Sequence, residues 1–156
     1  MINTLDSLLT YENIYLFANW GVIPFWLLLI FMPNHKITNF FSHSIVAPLL
    51  LAVAYIFVTQ QIILEDNIFE GFKLYLGLDG LDEIYSNESI RLIFWLHFLA
   101  VSLFVGAWIA RDSERNFVPK ALSAPCILLA YFTGPFGIVI YWFIRIFYAK
   151  KINFNE

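Results

Sequence analysis

The sequence predicts an all-α integral membrane protein: a four-transmembrane-helix bundle with a short amphipathic helix in its acidic loop. Three observations carry that prediction. Apolar residues make up 60% of the 156-residue chain and charged residues 13%, against about 45–50% and about 25% in soluble domains. The charges are bunched between long apolar runs. Four of those runs, about 14–31, 45–64, 90–110 and 124–146, are long enough to cross a bilayer core, which takes roughly 20 residues as helix. Four spans cannot close a strand barrel, so helices are the form that satisfies their backbone. Too little polar sequence remains to cover a soluble core, and residues 1–156 read as one integral membrane domain.

The first run, Ile14–Phe31, follows MINTLDSLLTYEN, which has no Lys or Arg. It lacks the basic start of a signal peptide and is expected to be retained. The second, Ile45–Leu64, leads into an acidic stretch, with Glu65, Asp66, Glu70, Asp79, Asp82, Glu83 and Glu88 against Lys73. A short amphipathic helix around Ile68–Leu76 is expected there, lying at the membrane interface. The third run is Ile90–Ala110, with Gly106 and Ala110 spaced to permit a close helix contact and a homodimer or a partner membrane protein. The fourth, Ala124–Ile146, holds the single cysteine, Cys126, expected to be a packing residue. Pro24, Pro48, Pro125 and Pro135 lie within the runs and predict kinks.

Four spans put both termini on one side, side A, with loops 32–44 and 111–123 on side B. Lys36, Arg111, Arg115 and Lys120 fall on side B; Lys73, Arg91, Arg145, Lys150 and Lys151 fall on side A. The shorter, denser side B loops favour that side as cytoplasmic.

Position along a helix converts to depth at about 1.5 Å per residue. On that scale Asn19, His97, Tyr141 and Arg145, with Thr59, Gln60 and Gln61, share a layer near side A. An ionisable group inside a bilayer is a functional candidate by default; the alternative is that His97 bonds Asn19 or Tyr141 and fixes packing. His97, Val101, Phe104, Trp108 and Arg111 form one stripe at about 100° per residue, with Asp112 beside its end. Such a stripe suits a long, flat hydrocarbon ligand with polar ends, and equally a tightly packed helix. Trp95 and Trp108 stand near opposite ends of the third span, as an interfacial belt would place them. Trp20, Trp26 and Trp142 are deeper and read as packing or ligand contacts.

Several chemistries find no support. The net charge is −3, without a basic stripe for nucleic acid. Haem needs axial ligands at one depth, and His35 and His43 lie on side B, away from His97. Carboxylates that could complete a metal site at His97 are missing from the spans. Neither a cofactor nor a metal is expected.

Three stretches resemble a known family. They are Asn19-Trp20-Gly21-Val22-Ile23-Pro24-Phe25-Trp26 continuing to Pro33, Trp95-Leu96-His97 through Leu103-Phe104-Val105-Gly106-Ala107-Trp108 to Asp112, and Pro125-Cys126 with Thr133-Gly134-Pro135-Phe136-Gly137. In order, spacing and helix placement they resemble the plant-type neoxanthin-synthesis membrane proteins, the abscisic-acid-deficient type, and their bacterial relatives of unknown function. This chain departs from the family pattern at Ser102, where an acidic residue is common, and at Ala107, where a basic one is common. Arg111, one turn on, could replace that positive charge.

The resemblance implies a multi-pass protein of a bacterial inner membrane or a plastid membrane, in contact with lipid and with carotenoid or another long apolar ligand. It also implies carotenoid chemistry of the violaxanthin-to-neoxanthin kind, an isomerisation of an epoxide to an allene without net redox change. That reaction wants an acid at the epoxide oxygen and a base at a polyene carbon. An imidazole exchanges protons near neutral pH, which makes His97 the expected acid or base, with Tyr141 or Arg145 polarising the oxygen. Asn19, Trp20, Trp26, Phe104, Trp108, Arg111 and Asp112 are then the expected substrate contacts. The competing reading is a non-catalytic carotenoid or lipid binder, or an accessory subunit of a membrane complex. A small transporter fits least, for want of an internal repeat.

Overall fold

The computed structural model describes residues 9–41, 46–64, 75 and 77–149. Seven helices follow one another along them: α1 (Tyr11–Phe31), α2 (Lys36–Phe41), α3 (Val46–Leu64), α4 (Leu78–Tyr85), α5 (Glu88–Arg115), α6 (Lys120–Thr133) and α7 (Pro135–Ala149). Among the described residues there is no strand. Helices α1, α3 and α5 are long and apolar enough to cross a membrane.

Helix α5, with 28 residues, is the central post, and α1, α3, α4, α6 and α7 all pack on it. It starts at Asn87, whose side-chain oxygen accepts from the Ser89 N–H at 3.0 Å, which answers one of the orphan donors of a first turn. The inward stripe is Leu92, Leu96, Leu99, Leu103, Gly106, Ala110 and Ser113, spaced three and four apart as one helical face requires.

Helix α1 begins at Thr10, whose hydroxyl oxygen accepts from the Asn13 N–H at 3.3 Å. It buries Ile14, Ala18, Val22, Trp26 and Leu29 in the same spacing and runs through Pro24 unbroken. Its 21 residues span roughly 32 Å, enough for a bilayer core. Trp26 packs against Gly106 of α5, where an added Cβ would stand 2.5 Å from its ring. The same ring meets Tyr131 of α6 edge-on at 5.2 Å. Gly106 is therefore filled from within the chain by Trp26, and Ala110 is buried.

The expected amphipathic helix around 68–76 lies largely outside the described residues. The short amphipathic helix observed is α4, which buries Ile84.

The largest departure concerns the fourth expected span. Residues 124–146 are not one helix but parts of two, α6 and α7, of 14 and 15 residues. Each is roughly 21–23 Å long, short of the roughly 30 Å core. The break has a plain cause. Gly134 sits at φ 57, ψ −90, a backbone conformation open mainly to glycine. Pro135 then opens α7, a position where its missing N–H costs nothing.

The chain folds back at that point. Gly134 lies beside Ser102 and Phe98, midway along α5. Tyr141 and Arg145, farther along α7, meet Asp112, ten or more residues back toward the C-terminal end of α5. A continuing straight helix would have reached the opposite end. The hairpin is held shut at Gly137, where an added Cβ would stand 2.5 Å from the Ala130 nitrogen and 2.6 Å from the Cys126 oxygen. As a result the start of α1 and the end of α7 lie at opposite ends of α5, whereas four spans would have put them together.

The turn that launches the hairpin is a Schellman motif. The Val118 N–H donates to the Ser113 carbonyl at 2.8 Å and the Phe117 N–H to the Glu114 carbonyl at 3.2 Å. Phe117 takes the left-handed position, φ 55, that glycine usually fills, and its side chain is exposed. Val118 is buried behind it and Pro119 caps α6.

Candidate functional site

A buried polar cluster forms where α7 returns to α5. Asp112 Oδ2 accepts two hydrogen bonds of 2.7 Å, from the Tyr141 hydroxyl and from Arg145 Nε. Tyr141 is 0% exposed, Arg145 4% and Asp112 8%. Removing a carboxylate and a guanidinium from water is costly; here their contact, with a phenol added, offsets that cost. Spacing brings the parts together, since Tyr141 and Arg145 are four apart on one face of α7.

Above the cluster lies an apolar groove of about 240 Å³ between α5 and α7, lined by Phe104, Val105, Trp108 and Ile138. Trp108 joins the two, its ring meeting Tyr141 edge-on at 5.7 Å. A rod-like apolar molecule lying along this groove would have its end next to an acid, a phenol and a guanidinium.

The expected polar layer near side A does not assemble. His97 is exposed on the outer face of α5. Tyr141 and Arg145 stand with Asp112 instead, because the hairpin carries them back. Asn19 accepts from the Trp95 indole N–H at 2.9 Å. Thr59 donates to the Tyr55 carbonyl of its own helix at 2.8 Å.

The stripe His97–Val101–Phe104–Trp108–Arg111 exists but faces outward. The first three are exposed, Phe104 by 57%, and Trp108 and Arg111 are half-buried. Trp20 is 70% exposed, and Trp26 is core. Val105, which the sequence marks only as part of the family-like stretch, and Ile138 also line the groove; Ile138 stands three residues before Tyr141, a spacing that links the two on a separate helix α7. Ser102 and Ala107 are both buried, and Asp112–Arg145 is a buried ion pair.

The fold and site define a small helical protein with three membrane-length helices and a broken helical hairpin locked to the third by an acid, a phenol and a guanidinium. The resemblance read in the sequence holds: residues 13–141 match the ABA DEFICIENT 4-like family, and the chain belongs to it. The chloroplastic protein ABA DEFICIENT 4 of Arabidopsis thaliana is 24% identical over 148 residues, 93% of this chain. The chain spans 64% of that relative's length. No solved structure matches.

Proposed function

We propose that this is a multi-pass membrane protein that acts on carotenoids or related terpenoids. Helices α1, α3 and α5 cross the bilayer, and the α6–α7 hairpin enters and leaves from one side. The outward stripe of α5 then faces acyl chains, which is where a carotenoid dissolves. The ligand lies along Phe104 and Trp108, with one ring end against Trp108, which separates it from Asp112, Tyr141 and Arg145. His97, fifteen residues from Asp112 and so roughly 22 Å away along the same helix, meets the other end. Trp108 carries this reading, as the one ring shared by groove and cluster. Membership of the family supports the choice of ligand.

In the enzymatic form of this reading the protein isomerises an epoxide to an allene. The Tyr141 hydroxyl gives its proton to the epoxide oxygen as the C–O bond breaks. The Asp112 carboxylate takes a proton from the polyene carbon and returns one to Tyr141, so atoms and charge balance. Arg145 holds the carboxylate in place. His97 as the acid or base is the rival within this reading, and substitution separates the two.

One observation favours the binder over the enzyme. Tyr141 is fully buried and its hydroxyl is committed to Asp112, so turnover requires Trp108 to swing aside, and binding does not.

Protein purified in mild detergent is inspected for a visible chromophore, then incubated with epoxy-carotenoids and analysed by chromatography. Turnover that Tyr141→Phe abolishes while pigment stays bound supports the isomerase with Tyr141 as acid. Turnover that only His97→Ala abolishes moves the chemistry to the imidazole. Pigment without turnover supports the binder, and neither pigment nor turnover rejects both.

A further inference from the structure

A second cleft, of about 480 Å³, opens at the far end of α5 from the Asp112 cluster. Helix α1 contributes Glu12 and Tyr15, α4 contributes Tyr85, and α5 contributes Glu88, Arg91 and Trp95. Residues 88, 91 and 95 share one face of α5, and 12 and 15 one face of α1, so the two walls confront each other. All six side chains are exposed. Trp95 is held in place by its bond to Asn19, and its ring centre stands 6.0 Å from that of Tyr15. The proposed reaction uses none of them.

The chemistry of the walls is mixed in sign. Two carboxylates and four aromatic rings, Tyr11 among them, attract an ammonium group, the rings through their negative faces. One guanidinium attracts a phosphate, for which its planar fork is suited. A purely anionic ligand would meet two carboxylates for one cation. A purely cationic one would leave Arg91 unmatched. A molecule carrying both charges matches all three.

The location narrows the ligand further. The cleft sits where the apolar run of α5 begins, and Leu16, four residues after Glu12 on the same face of α1, is exposed and apolar. A headgroup in the cleft would lay its acyl chains along that face. We infer that this cleft binds the headgroup of a zwitterionic phospholipid, with Arg91 on the phosphate and Glu12, Glu88, Tyr15, Tyr85 and Trp95 around the ammonium. The inference rests on the membrane topology proposed above, and not on the carotenoid chemistry.

The test uses the full chain, extracted in mild detergent and placed in nanodiscs of equal phosphatidylethanolamine and phosphatidylglycerol, with retained lipids counted by native mass spectrometry. The zwitterionic lipid is expected to be retained over the anionic one by roughly tenfold, the scale of one charge-assisted contact. Arg91→Ala is expected to lower its retention. The isosteric pair Glu12→Gln with Glu88→Gln is expected to erase the preference while the unfolding temperature stays unchanged. Equal retention of both lipids by the wild type, or an unaltered preference in the Gln pair, overturns the inference. So does full displacement by glycerophosphoethanolamine at equal concentration, which would make the ligand a soluble zwitterion. A chain that fractionates without membrane or detergent breaks the topology itself, an outcome distinct from these.

Discussion

His97 and Asp112 stand fifteen residues apart on one continuous helix, and the two halves of that helix treat an ionisable group in opposite ways. Near its start α5 turns the imidazole outward, away from the packed helices. Near its end it turns the carboxylate inward, where a phenol and a guanidinium meet it. The difference lies in what the rest of the chain brings to each level. The hairpin reaches only as far as Ser102 and Phe98 before turning back. Its polar face therefore serves the C-terminal half alone.

The largest effect should come from breaking the better-served half. Asp112→Ala leaves the Arg145 guanidinium buried without its carboxylate, and a loss of about 3–5 kcal/mol in unfolding free energy is expected. The double variant with Arg145→Met should cost less than Asp112→Ala alone; a double variant as unstable as the sum of its parts would mean the two groups act independently. Gly137→Ala drives a methyl group into the backbone of α6, and a loss of about 3 kcal/mol is expected, read by the same denaturation.

Tyr141→Phe deletes one hydrogen bond to the carboxylate and keeps the ring against Trp108, for a loss of about 1–2 kcal/mol. Phe117→Gly removes the side chain from a left-handed position and should raise stability by about 1 kcal/mol, unless the exposed phenyl ring anchors the turn, in which case thermal unfolding will fall. His97→Ala is expected to stay within about 0.5 kcal/mol; a larger drop would show that the outward half is not as idle as its exposure implies.

The contrast also marks how far the sequence could be read. The apolar runs near 14–31, 45–64 and 90–110 correspond to α1, α3 and α5 because nothing but length and oiliness is needed to recognise them. The stripe on α5 was legible as a stripe, but its direction was not. In a soluble helix an apolar face points inward; beside acyl chains both faces are apolar, and Val101 and Phe104 look like Leu99 and Leu103. The cluster was legible as three separate residues. Depth counted along an uninterrupted fourth span puts Tyr141 and Arg145 near His97. Thr133-Gly134-Pro135 carried the contrary signal, a glycine–proline turn dividing a long run into halves too short to cross. Read that way, the same count returns Tyr141 and Arg145 to the level of Asp112.

Trp26 gives this architecture a reporter of its own. Its indole is clasped by Gly106 on one side and edged by Tyr131 on another, so three helices must be seated together for that environment to exist. In a variant that keeps Trp26 as its one tryptophan, fluorescence should shift to longer wavelength when the hairpin loosens, well before the long helices melt, so that the seating of the Asp112 half can be followed by light.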